Sequence, residues 1–75
     1  MNSYVYSFKF TEDSTLLYVG SIQYLYKFDV NNQFKELCKY EIHTSYINNI
    51  LCISNTIILT ASDDKNIIKT DVNKK

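Results

Sequence analysis

The chain has 75 residues, a formal net charge of zero, and 8 cationic side chains that are all lysine. This length allows one domain. The balanced charge and missing arginine argue against a nucleic-acid binder and remove the usual fork for bidentate phosphate or carboxylate recognition.

Tyr4 to Phe10 alternate with the strand period of two, through Tyr6, Phe8 and Phe10. Thr11 to Thr15 is a polar turn, and Leu16 to Val19 a second apolar strand. Gly20 to Gln23 reads as a turn, Tyr24 to Val30 as a third strand, and Asn31-Asn32 as another turn. Phe34 to Tyr40 reads as a fourth strand, with helix as the competing assignment for Phe34 to Glu41 because of its lysine, glutamate and leucine content. Ile47 to Ile53, Thr56 to Ala61 and Asn66 to Val72 complete a set of seven short strands, with turns at Ser54-Asn55 and Ser62 to Lys65 and a solvated tail from Asn73. Even spacing without a helical pattern predicts an all-β antiparallel meander.

The chain also repeats itself. A shift of 42 positions lays Asp29-Val30-Asn31 on Asp71-Val72-Asn73, Lys27 on Lys69 and Leu17 on Leu59. The same shift lays Val5, Phe8 and Phe10 on Ile47, Ile50 and Cys52. The expected divisions are a first repeat over about 4–32, a strand and linker over about 33–42, and a second repeat over about 43–73.

The second repeat resembles a WD40 repeat. His43 to Ile50 looks like the segment that opens such a repeat, and Ile58 to Val72 like the one that closes it at Trp-Asp. The resemblance implies a four-stranded blade of a β-propeller, held inside by a hydrogen-bonded network. Its matching positions are His43, Thr60, Asp64 and Thr70, with Asp71 keeping the closing aspartate. Ile42 stands where the family has glycine and Thr70 where it has tryptophan, so the indole donor is lost. In the first repeat Tyr18, Ile22 and Phe28 take the network positions, and no polar network is expected there. The chain spans about two blades, whereas closed propellers have four to eight. The resemblance therefore implies an incomplete propeller, either a fragment or a piece completed by partner chains.

The same residues bear other readings. Thr60, His43 and Asp64 satisfy the residue list of a catalytic triad, Cys52 with His43 that of a thiol enzyme, and Asp63-Asp64 that of a metal site. The blade network accounts for the first set and predicts it buried and unreactive, so no enzyme activity, metal or cofactor is expected. Two cysteines and one histidine are too few for a closed zinc site. Cys38 and Cys52 read as reduced, buried small hydrophobes, with a single disulfide or a reactive thiol as alternatives.

The expected function is a non-enzymatic scaffold or adaptor that binds protein partners. The alternative is a structural piece that completes a propeller or multimerises into one. Candidate contacts are Glu12, Asp13, Asn32, Tyr46 and Lys65 in turns, with Tyr26 and Tyr40 as further exposed tyrosines. No charged-then-apolar leader, membrane-length apolar run or Asn-x-Ser/Thr site occurs, so an intracellular setting, cytoplasmic or nuclear, is expected.

Overall fold

Short runs of β-branched and aromatic residues, punctuated by Asn, Asp, Ser and Thr, fold into strands joined by tight turns. The computed structural model describes residues 5–54 and 56–72. It contains β1 (Ser7–Phe10), β2 (Leu16–Gly20), β3 (Ile22–Asp29), a 3-10 turn (Val30–Asn32), β4 (Lys35–Cys52), β5 (Ile57–Ser62) and β6 (Ile67–Asp71). Each strand pairs antiparallel with the next, so one six-stranded sheet runs in sequence order. The all-β meander expected from the sequence is the observed architecture. Tyr4, Asn55 and the tail from Asn73 to Lys75 lie outside the described residues.

The strand count needs correction. The separate strands predicted over Phe34 to Tyr40 and Ile47 to Ile53 are one 18-residue strand, β4, so the described residues form six strands rather than seven. The strand and linker placed over about 33–42 and the start of the second repeat at about 43 lie largely along this one strand. Helix does not form here because Cys38, Tyr40 and Ile42 alternate with exposed Lys39 and Glu41, the period of a strand with one covered face. The first half of β4 pairs with β3, up to Tyr46 opposite Ile22, and the second half pairs with β5 from Ile47 onward. Irregular register at Ile47–Asn49 marks the passage from one ladder to the other.

The sheet curls at that passage and brings β1 back against β4. Ser7 Oγ donates to the Ile47 carbonyl at 2.7 Å, and the Ile47 N–H donates to the Ser21 carbonyl at 3.0 Å. The core lies between the two ladders. Tyr18 and Leu25 of the first ladder meet Ile47, Ile50, Ile58 and Val72, with Leu16, Tyr40, Ile42 and Cys52 packed around them. Each such side chain contributes about 1.5–3 kcal/mol when fully buried.

Gly20 was expected in a turn but ends β2, where backbones approach closely. An ideal Cβ there would lie 2.7 Å from Ile47 Cγ2. The turn proper is Ile22-Gln23, closed by the Ser21 N–H donating to the Tyr24 carbonyl at 3.0 Å, with Gln23 at φ 73°. Tyr26, expected to be exposed, is buried, and Tyr40 is half-buried.

Candidate functional site

The polar side chains expected to act together meet where β4 crosses between the ladders. His43 comes from β4, Thr60 from β5, and Asp64 from the turn between β5 and β6. That turn forms because its residues bond to each other. The Lys65 N–H donates to the Ser62 carbonyl at 3.1 Å, the Asp64 N–H to Ser62 Oγ at 3.2 Å, and the Asn66 N–H to Asp64 Oδ1 at 2.9 Å. Lys65 takes a left-handed backbone at φ 72°.

This geometry aims the Asp64 carboxylate at β4. Oδ2 accepts from the Thr44 N–H at 3.0 Å and lies 2.9 Å from His43 Nδ1. On the far side of the ring, Nε2 lies 2.8 Å from Thr60 Oγ1, whose hydroxyl also reaches the Ile68 carbonyl at 3.4 Å. The Thr44 amide is the largest influence holding the Asp64 carboxyl down at about 2, with the His43 ring and the Asn66 amide adding to it and partial desolvation opposing it. Asp64 is thus an ionised acceptor, and Nδ1 carries the hydrogen between them. The Thr60 hydroxyl either donates to Nε2 or, when Nε2 carries a proton, accepts from it and donates to Ile68. His43 is 3% exposed and Thr60 1%, so the ring and the hydroxyl are sealed from solvent while Asp64 is half-buried in its turn.

Thr70 and Asp71 are not part of this contact set. Thr70 stands opposite Ile58, and Asp71 opposite Ile57 at the end of the β5–β6 ladder. Thr70 therefore does not bond to His43, whose ring nitrogens are taken by Asp64 and Thr60. Among the described residues, no three His, Cys, Asp or Glu side chains gather as a metal-holding group.

The candidate contact residues divide into two groups. Glu12 and Asp13 sit in the β1–β2 turn and Asn32 in the 3-10 turn, two turns joined by the Val30 N–H donating to the Thr15 carbonyl at 3.0 Å. Tyr46, expected in a turn, lies within β4 at the end of the first ladder, opposite Ile22, while Lys65 lies in the β5–β6 turn; the two places are joined by the Asp63 N–H donating to the Tyr46 carbonyl at 3.1 Å. The Tyr46 ring packs on Tyr6 with centroids 4.6 Å apart. Asp13 is engaged by its own turn. Its Oδ1 accepts from the Thr15 N–H at 3.0 Å and from the hydroxyls of Thr11 and Thr15 at 2.8 Å each, which lowers its pKa, the Thr15 amide most of all.

No family model matches this sequence, and no curated protein matches it.

Sequence reasoning passed over three participants at the junction. The Thr44 amide is a backbone donor with no side-chain signature. Asn48 Nδ2 donates to Asp63 Oδ1, and the Ser62 hydroxyl shapes the turn. The Ser62-Asp63-Asp64 run could have marked the latter two, since short polar side chains in a turn bond to nearby backbone. The hydroxyls of Tyr18 and Ser21 are buried with no hydrogen-bond partner among the described residues. Cys38 and Cys52 are free and half-buried, and burial raises the Cys52 thiol pKa, with Lys9 opposing it. No helix among the described residues is long and apolar enough to cross a membrane.

Proposed function

We propose that this chain is a WD40-type β-propeller segment of about two repeats, acting as a non-enzymatic scaffold or adaptor in protein–protein interaction. The observation that carries the reading is His43, held at both ring nitrogens by Asp64 and Thr60 where one ladder passes to the next. Three side chains from two strands and a turn tie the junction together, which is the role the resemblance gives them. The near-complete burial of the Thr60 hydroxyl supports reading the set as a structural clasp. Partner contacts fall to the turns and to Tyr46 on β4, which the sheet holds in fixed positions. Glu12, Asp13 and Asn32 form one group, and Tyr46 with Lys65 the other.

The test is affinity capture with the wild-type chain and with two variants, E12K/N32K and Y46A/K65E, followed by direct binding measurement on any purified partner. Loss of one partner's binding in a single variant supports the reading. Unchanged binding in both variants overturns the assignment of these turns. Turnover of a substrate that is lost in a folded His43→Ala variant overturns the non-enzymatic reading. A second reading, a piece that completes a propeller or multimerises into one, is favoured by the large side chains left exposed on the outer sheet faces, Phe8 and Ile67 foremost.

A further inference from the structure

The two repeats superimpose through their strand pairing. Ser7, Gly20 and Leu25 stand side by side across β1, β2 and β3, as Asn49, Ala61 and Ile67 do across β4, β5 and β6. Lys9, Tyr18 and Lys27 correspond in the same way to Leu51, Leu59 and Lys69, and Phe8, Val19 and Tyr26 to Ile50, Thr60 and Ile68. The correspondence is a shift of 42 positions in the flanking strands and 41 in the middle one.

Cross-strand partners share a face, and successive residues alternate between faces. Each repeat thus has a Leu25-type face and a Phe8-type face. The core is made by the Leu25-type face of the first repeat meeting the Phe8-type face of the second, which carries Ile50 and Ile58. The contact is head-to-tail, and among the described residues it leaves one face of each kind without a covering layer, although Val19 and Tyr26 on the Phe8 face are buried, the Tyr26 ring lying beside Tyr24 and Phe28. Equivalent positions record this directly. Leu25 is 0% exposed and its counterpart Ile67 74%, while Ile50 is 5% exposed and its counterpart Phe8 64%.

We propose that these two open faces bind each other between copies of this chain, the Phe8 face of one copy seating on the Ile67 face of the next. The occupant follows from continuity, because the new contact repeats the one already made inside each chain. The details match. In the internal contact Ile47 packs over Gly20, where no side chain would fit. In the external one the counterparts are Val5 and Ala61, one carbon fewer above and one more below. Ser7, which donates to the Ile47 carbonyl, is replaced by Asn49, which can donate to the Val5 carbonyl. A groove of about 340 Å³ lined in part by Leu51, Leu59, Ala61 and Ile67 lies on the receiving face. Such a heterologous contact closes into a ring or extends as a filament.

The inference rests on the two-repeat reading and is tested apart from it. The full chain is measured by analytical ultracentrifugation and circular dichroism across a concentration series, together with Phe8→Glu and Ile67→Glu. The wild type is expected to assemble beyond a single chain. Each variant alone is expected to be a folded monomer, and their mixture a one-to-one dimer, since each retains the face the other lacks. If either glutamate variant is unfolded, Phe8→Thr and Ile67→Thr take its place. A wild type that is a folded β-rich monomer at every concentration overturns the proposal and leaves the adaptor reading intact. A single variant that still dimerises by itself also overturns it, because the contact would then join two like faces. A chain disordered at every concentration overturns both readings.

Discussion

Replacing Gly20 with alanine adds a methyl group to space that is already filled. A Cβ there would lie 2.5 Å from Ser7 Oγ, 2.7 Å from Ile47 Cγ2 and 2.9 Å from Ile47 Cβ. Ordinary contact begins near ~3.5 Å, so the neighbours must retreat by about 1 Å. Neither neighbour is free to move. Ser7 Oγ is bonded to the Ile47 carbonyl at 2.7 Å, and Ile47 is fully buried in the core. Overpacking of this kind costs about 1–3 kcal/mol. Gly20 does not have a positive φ, so alanine also lowers the entropy of the unfolded chain, a gain of about 0.4–1 kcal/mol. The net expectation is a loss of about 1–2 kcal/mol, or a Tm lower by about 4–16 °C for a domain of this size. Urea unfolding followed by circular dichroism would show a lower midpoint with an unchanged slope. Adding Ile47→Val to Gly20→Ala should recover part of the loss, since it removes one carbon from the crowded site. A Gly20→Ala chain as stable as the wild type would refute the close-approach argument.

Other outcomes follow from the junction and the core. Thr60→Val leaves the buried Nε2 of His43 without its partner and should destabilise the fold by about 1–3 kcal/mol, read from the same urea curves; an unchanged midpoint would remove the clasp role. Asp64 has a pKa depressed from the ordinary 3.8 to about 2. Its contribution to stability is therefore fully present above about pH 4 and is lost as pH falls through 2. Asp64→Asn should flatten this part of an acid titration followed by circular dichroism, and identical acid limbs in the two chains would count against the Thr44 and His43 contacts. Burial raises the Cys52 pKa, so iodoacetamide at pH 8 should label Cys52 more slowly in the folded chain than in urea. Equal rates, read by mass spectrometry, would place the thiol in solvent.

The meander was legible because strand residues and turn residues separate cleanly along the chain. The length of β4 was not. Phe34 to Glu41 holds helix-forming residues, and the decisive alternation of Cys38, Tyr40 and Ile42 is diluted by lysine and glutamate on the solvent side. Ile42 to Tyr46 carries no turn residue strong enough to stop a strand, and pairing with β3 carries the chain through. His43, Thr60 and Asp64 were readable as a set because their spacing resembles a known pattern. Thr70 was not separable from them, since only the folded register shows it opposite Ile58. The sole glycine drew a turn reading by its rarity, but its place is set by Ile47, which is 27 residues away in sequence and touching in space. A pairing offset that differs by one between flanking and middle strands is missed by a single fixed shift of the sequence; the hydrogen-bonded ladders show it.

β4 belongs to both ladders, and that has a bearing on how the chain melts. Two modules joined by a flexible tether can open independently and give two transitions. Here, peeling either half of β4 from its partner also loosens the backbone that anchors the other half, and β1 is bonded to the same strand at Ile47. Loss of order on one side therefore propagates to the other, and the two ladders share one cooperative unit although each has its own set of hairpins.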